Sequence, residues 1–323
     1  MGNVTDLRSF LLKQKGTKVE KNTIVTGDIN DFGIVNPEQG KRFIDKMREH
    51  SALMNYANIT QMTTPVRKIS KIDFLERFLR DSTEGSALTA AEKSSLDFSE
   101  TTLQTYKKKG EIDISYETLE DNIERSRLLP HIQGLITEKL ADEIGDLCIN
   151  GDTTSTDPFY QLFDGFFAQA ASNVYDLTNN IMDSDEALNV VRSMPDRWSK
   201  VKYQTGTYIL RPNVWLDYQD SLTSRETPLG DAILTNKQPV GNIRGYSVWK
   251  EPIVQTYING TDTNSKGLFT DPKNLLVGIY RPVKIRIIDD QYAEKFTVQG
   301  TVRFGCVFIE EEMVVLIDNI KQL

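Results

Sequence analysis

The stretch from residue 60 to 116 restricts the fold more than any other part of this chain. Two strand-like flanks, Thr64 to Ile72 and Leu103 to Tyr116, enclose a polar centre, DSTEGSALTAAEKSSLDFSE, at 81–100. Along Glu111, Ile112, Asp113, Ile114, Ser115 and Tyr116 apolar and polar residues alternate, so one face of that flank is apolar and the other wet. A strand pair with so long a polar tip has too little apolar surface to bury itself within one subunit. A solvated loop satisfies such a segment. The sharper reading is a long hairpin that extends over a neighbouring subunit.

The next segment, SYETLEDNIERSRLLPHIQGLITEKLADEIGDLCINGD, carries one long helix. After Pro130 the apolar residues Ile132, Leu135, Ile136, Leu140, Ile144, Leu147 and Cys148 follow the helical repeat. Pro130 suits a first turn, and Asn150-Gly151 supplies a stop. The spacing predicts a helix over 131–149, roughly 27 Å long at about 1.5 Å per residue. Glu138, Asp142, Glu143 and Asp146 crowd its polar face.

Elsewhere the signals are shorter. Residues 1–35 read as an arm, with turn chemistry in GDINDFG (27–33). Asn36-Pro37-Glu38-Gln39 starts a helix whose face carries Phe43, Ile44, Met47 and His50 and which ends near Met54. Residues 152–182 are irregular, with Phe159, Phe163, Phe166 and Phe167 tucked into a core. Asp183 caps a helix with Glu186 three residues on and a stripe of Ala187, Leu188, Val191 and Met194. Thr207–Leu210 is a strand, Val214–Leu222 a helix, and TSRETPLGD (223–231) a polar loop. Beyond Arg244 strands are expected at Tyr246–Trp249, Leu275–Tyr280, Val283–Ile288, Thr297–Phe304 and Val307–Ile317, with NGTDTNSKG (259–267) as a solvent loop. Helices and strands segregate along the chain, which is the α+β class.

At 323 residues the chain has room for about two domains. Its net charge of −8 makes it a poor reader of DNA sequence, because such binding leans on phosphate neutralisation. The two cysteines, Cys148 and Cys306, lie far apart inside apolar runs, with no CxxC and only His50 and His131 beside them. Zinc sites and a disulfide framework are therefore not expected, and a reducing cytosol is the default. The longest apolar run, Met313 to Ile317, is far short of the roughly 20 residues of a membrane span. The first residues, MGNVTDLRSFLLKQKG, read as no secretory signal, so a soluble protein is expected.

Catalytic chemistry is mostly missing. There is no GxxxxGK[ST], GxGxxG or GxSxG. Asp28–Asp31 and Asp262–Asn264 resemble calcium loops only in composition and read as plain turns. Glu310-Glu311-Glu312 reads as a solvated turn or strand end, and Lys107-Lys108-Lys109 as a solvated strand. No catalytic, cofactor-binding or metal-binding residue is assigned.

The order of elements is what resembles a known family. NPEQGKRFIDKMREHSALMNYANI (36–59) resembles the opening of tailed-phage major capsid proteins of the Hong Kong 97-like fold. EIDISYETLEDN (111–122) is similar to that family's strand leaving an extended loop, where Ser-x-Glu-Leu-Leu-x-Asp is matched by Ser115, Glu117, Leu119 and Asp121. LADEIGDLCINGD (140–152) resembles the end of the spine helix, and YILRPNVWLDYQDSL (208–222) the strand, turn and helix of the axial domain. VGIYRPVKIRIIDD and TVRFGCVFIEEEMVVLI, within 277–317, look like the closing strands.

The resemblance implies an arm and first helix at 1–58, an extended loop at 59–112, a peripheral domain at 113–182 and 289–323, and an axial domain at 183–288. It implies a shell protein of the virion (Caudoviricetes) that is no enzyme and takes no cofactor. Copies would assemble in the host cytoplasm through pentamers and hexamers into an icosahedral shell around double-stranded DNA. A separate scaffolding protein, a portal and decoration proteins are the implied partners, and no membrane is. The arm and loop would lie on neighbouring subunits, which gives polar segments the partners their ordering requires. Candidate intersubunit contacts are Arg67, Lys68, Lys71, Glu84, Glu92, Lys93, Glu117, Asp121, Arg225 and Glu226. Some relatives join Lys to Asn between subunits, but nothing marks such a pair among Lys68, Lys71, Lys93 and Asn319. The alternatives are an encapsulin-like nanocompartment, which shares the fold and encloses an enzyme, and a hydrolase with a scattered triad.

Overall fold

A computed structural model describes residues 52–74, 95–121, 128–223 and 242–322, together with Leu79 and Thr89. The arm, the helix start at Asn36, His50, most of the polar centre and the loop after Thr223 lie outside the described residues. In chain order come α1 (Ala52–Tyr56), β1 (Asn58–Gln61), β2 (Val66–Phe74), β3 (Leu96–Gln104), β4 (Tyr106–Ser115), α2 (Tyr116–Asp121) and α3 (Leu128–Asn150). Next are α4 (Phe166–Gln169), β5 (Val174–Asp176), α5 (Ser184–Ser193), β6 (Thr207–Leu210), α6 (Pro212–Thr223), β7 (Asn242–Ile243) and β8 (Tyr246–Lys250). The remaining strands are β9 (Thr256–Asn259), β10 (Asp262–Thr270), β11 (Leu275–Asp290), β12 (Lys295–Phe308) and β13 (Val315–Lys321). The mixed α+β class holds.

The chain divides into two compact units. Among the described residues, one comprises those within Lys107–Ala141 and Arg281–Val302. Its sheet places β12 between β4 and β11. Alternation sends Ile114, Ile285, Ile287, Phe296 and Val298 to one face, where Ile132 and Ile136 of α3 cover them. A Cβ at Gly300 would stand 3.0 Å from Leu140 Cδ1, so the helix lies close on the strand. The long helix runs 128–150, three residues earlier than the spacing suggested, because a proline is tolerated within a first turn.

The other unit comprises Met47–Tyr106, Asp142–Tyr280 and Arg303–Leu323. Among its described residues a seven-stranded sheet runs β5-β13-β10-β6-β8-β7, with β9 also on β10. Tyr208, Trp215, Tyr218, Phe269 and Ile317 centre its core. The Asp183 carboxylate accepts from the Asp185 and Glu186 amides, both at 2.8 Å, and so starts α5. Glu186 does not reach back to complete a capping box; it accepts from the Tyr175 hydroxyl at 2.5 Å.

Three expectations need correction. NGTDTNSKG is no solvent loop: most of it is β10, whose Asn264 and Ser265 are buried. Pairing with β13 on one side and with β9 and β6 on the other satisfies its backbone, so a polar segment sits inside a sheet. The strand expected over 307–317 breaks at a turn over Glu311–Met313, whereas β11 runs unbroken where two strands were expected. β13 pairs with β10 and buries Val315, Leu316 and Ile317. Of the four phenylalanines assigned to a core, Phe163, Phe166 and Phe167 are buried and Phe159 is half-buried.

Candidate assembly surfaces

The β2–β3 hairpin is built over nine paired positions, from Val66 opposite Gln104 to Phe74 opposite Leu96. Residues directly opposite share a face, so the register sorts the hairpin into two sides. One side holds Arg67, Ile69 and Lys71 with Leu103, Thr101 and Ser99. That side is fastened to its own subunit: Leu103 is buried with Met62 and Leu276, and Ile69 packs against them. Lys71 pairs with Glu310 at 3.1 Å, and the Thr101 hydroxyl donates to the Ile309 carbonyl at 3.2 Å. At the base, the amide and hydroxyl of Thr105 donate to the Pro65 carbonyl at 2.9 and 2.8 Å. A Cβ on Gly278 would come within 2.6 Å of both Met62 Sδ and Leu103 Cδ2, so the glycine makes room for the hairpin root.

The other side is open. Val66, Lys68, Ser70 and Ile72 face Gln104, Thr102, Glu100 and Phe98, with Leu96 beyond, and all are exposed. Ile72 and Phe98 pair directly and remain 65% and 67% accessible. A hairpin fixed by one face thus presents an apolar pair on the other. Exposed apolar groups clustered in this way mark an interaction surface.

The charged candidates behave differently. Lys68 reaches diagonally to Glu100 at 2.9 Å, and that hydrogen bond raises the lysine pKa above its ordinary value. Lys68 and Lys71 are therefore engaged within the subunit. Arg67 is exposed on β2, and Glu117 is exposed in the first turn of α2. Asp121 ends α2. Glu84, Glu92, Lys93, Arg225 and Glu226 lie outside the described residues. Charge, the criterion that selected them, passes over Val66, Ile72, Leu96 and Phe98, whose signal is the period-two pattern of the two flanks.

In the unit carrying the start of α3, the sheet face away from that helix is a charge lattice. Asp113 accepts from Lys295 at 2.6 Å and Thr297 at 2.7 Å, which holds its pKa below the ordinary value. Glu111 is lowered by hydrogen bonds from Lys109 and Gln299. Beside Phe296 of the helix-covered face, Tyr116 donates to Asp289, and that bond pushes the phenol up to about 12. Tyr292 stands fully exposed in the β11–β12 turn.

The acidic run at 310–312 is engaged within the chain. Glu311 accepts from the amides of Ala171 and Ser172 at 2.8 and 2.6 Å, Glu310 pairs with Lys71, and Glu312 lies 3.7 Å from Arg197. Asp262, from the calcium-like run, pairs with Lys321 at 3.0 Å. Among the described residues no cluster of His, Cys, Asp and Glu could hold a metal ion, and no helix is long and apolar enough to cross a membrane.

Comparison with known proteins finds relatives that match over nearly the whole chain. A Bacillus subtilis (strain 168) protein named as a prophage capsid protein, YqbE, is 29% identical over 308 residues, covering 94% of this chain and 98% of its own. The satellite phage P4 procapsid structure, which includes a size determination protein, superposes with a TM-score of 0.63 at 13% identity, over 99% of this chain and 98% of the other. The SrpI encapsulin of Synechococcus elongatus PCC 7942 gives 0.59 at 10% identity, over 97% and 95%. At such identities the two structures establish the Hong Kong 97-like fold alone. The model of the phage capsid family matches residues 31–319. This chain belongs to the phage capsid family, and it is a shell protein of the virion.

Proposed function

We propose that copies of this chain associate as pentamers and hexamers and close into an icosahedral head around packaged double-stranded DNA. The open face of the β2–β3 hairpin carries this reading, because Ile72 and Phe98 pair there and remain about two-thirds exposed. In this reading the hairpin is the extended loop, and its open face lies on a neighbouring subunit. The unit packed on the start of α3 belongs to a peripheral domain, and the seven-stranded sheet to an axial domain at capsomer centres. Arg67, Glu117, Asp121, Arg225 and Glu226 are proposed intersubunit contacts, with Glu84, Glu92 and Lys93 from the hairpin tip. A separate scaffolding protein, a portal and decoration proteins complete the head. The chain acts as a wall and catalyses no reaction. Its net charge of −8 suits an inner surface along which DNA slides rather than sticks.

Expression followed by sedimentation and electron microscopy tests the reading. Closed particles, tubes or five- and six-fold rings are expected, with nuclease-protected DNA in particles recovered from phage-producing cells. A chain that stays monomeric with scaffolding protein supplied refutes the shell, and particles filled with an enzyme in place of DNA indicate a nanocompartment. Deleting residues 81–100 should leave a folded monomer unable to close shells.

A further inference from the structure

The chain's only two cysteines, 158 positions apart, meet inside the fold. Cys148 occupies the last turn of α3 and Cys306 lies near the end of β12. The Cys306 thiol donates to the Cys148 carbonyl oxygen at 3.5 Å, which brings the two residues into direct contact. Both are free thiols, Cys148 fully buried and Cys306 7% accessible.

The backbone around them has little freedom to move. A Cβ on Gly165 would stand 2.8 Å from the Cys148 carbonyl oxygen, and one on Gly151 would stand 2.5 Å from that of Leu147. The Gly165 amide donates to the Gly151 carbonyl at 2.8 Å, closing the segment onto the helix end. On the other side, Gln169 Nε2 donates to the Cys306 carbonyl at 3.1 Å and lies 3.9 Å from its sulfur. Two buried cysteines in direct contact, one at a helix end and one on a strand, stand where a disulfide can close with small motions.

We propose that Cys148 and Cys306 are a latent disulfide, kept as thiols in the reducing host and closed by a hydroperoxide-class oxidant once the shell is outside it. The proposal rests on the shell reading only for the journey out of the cell. The more accessible thiol, Cys306, loses its proton, and its sulfur attacks hydrogen peroxide. The O–O bond breaks, and the departing hydroxide takes up the proton, leaving a sulfenic acid and one water. The Cys148 sulfur then attacks the sulfenic sulfur. The S–O bond breaks, the Cys148 proton leaves with the hydroxide as a second water, and the S–S bond forms. Two electrons pass from the sulfurs to the peroxide. Burial, and next the neighbouring thiol, hold the Cys148 pKa well above its ordinary value. Closure is accordingly slow at neutral pH.

The test uses purified protein, separated by sedimentation into shells and free subunits and then treated with hydrogen peroxide at neutral pH. Expected are a subunit about 2 Da lighter, loss of both alkylatable thiols after denaturation, and a peptide joining Cys148 to Cys306. Dithiothreitol should reverse all three. The apparent melting temperature should rise by roughly 5 °C in oxidised wild type and in neither Cys148→Ser nor Cys306→Ser. Persistence of both thiols in protein whose methionines have begun to oxidise overturns the proposal, as does a gain of about 16 or 32 Da without a linked peptide. The wild-type result stands even if a serine variant fails to fold. Failure of the shell reading appears separately, as an absence of particles before oxidant is added.

Discussion

Replacing Phe98 and Ile72 together by serine should raise the concentration needed for shell assembly while leaving the subunit folded. Full burial of a phenylalanine or isoleucine side chain is worth about 1.5–3 kcal/mol. At 67% and 65% exposure, about two-thirds of that remains unrealised in the isolated subunit, or roughly 1–2 kcal/mol for each residue. The opposite face of the hairpin is already fastened through Leu103, Lys71 and Thr101, so part of the ordering cost has been met before a neighbour arrives. The pair then supplies roughly 2–4 kcal/mol to one contact, a factor of about 30 to 1,000 in its affinity. Each subunit in a closed shell makes that contact, so the loss recurs around the lattice. Sedimentation across a concentration series should show the assembly threshold rising by at least tenfold, with urea denaturation of the free subunit unchanged within about 0.5 kcal/mol. Assembly at the wild-type threshold would refute the argument. So would a large loss of subunit stability, since that would mean the residues already pack within the chain.

The remaining predictions concern the subunit itself. A Cβ at Gly305 would lie 2.0 Å from the Gln104 carbonyl oxygen, so Gly305→Ala must push β12 from the hairpin base and should cost about 1–3 kcal/mol in urea denaturation. Wild-type stability would show that the approach is not needed. Asp183→Ala removes the acceptor for two amides at the start of α5 and should cost about 0.5–2 kcal/mol, with Asp183→Asn retaining most of the stability. Tyr116, with its pKa raised from 10.0 to about 12 by Asp289, contributes stability that is complete below pH 10 and is lost as pH rises through 12. Absorbance titration should show this late tyrosine, and Asp289→Asn should return it toward its ordinary value; a titration unchanged by that substitution would remove Asp289 as the cause.

What the sequence made legible is whatever is encoded locally. The repeat from Ile132 to Cys148 sits on α3, and the Asp183 cap starts α5 where the spacing placed it. The polar run at 259–267 misled because its meaning is not local. Asn264 and Ser265 pair on one side with the adjacent β9, but on the other with β13, which follows them by more than fifty residues. The meeting of Cys148 with Cys306 was illegible for the same reason, since two apolar runs do not say which strand closes on which helix end.

The hairpin faces show the limit most sharply. Within VRKISKIDF, Ile69 and Ile72 fall on opposite sides, and nothing local says which one the subunit covers. The answer comes from Gly278, some two hundred residues away, whose missing side chain admits Leu103 and so turns the Ile69 side inward. Charge does not point to the apolar surface left outside. A lysine in a sequence is satisfied by water or by any carboxylate that folding brings near, as Lys68 is by Glu100 and Lys71 by Glu310. Such pairs, once formed within a subunit, give a neighbour little to add. An apolar side chain left exposed on a fastened hairpin has no substitute partner in water. The transfer energy of Ile72 and Phe98 is available only to another molecule, and a repeating lattice of this same chain supplies one to every copy.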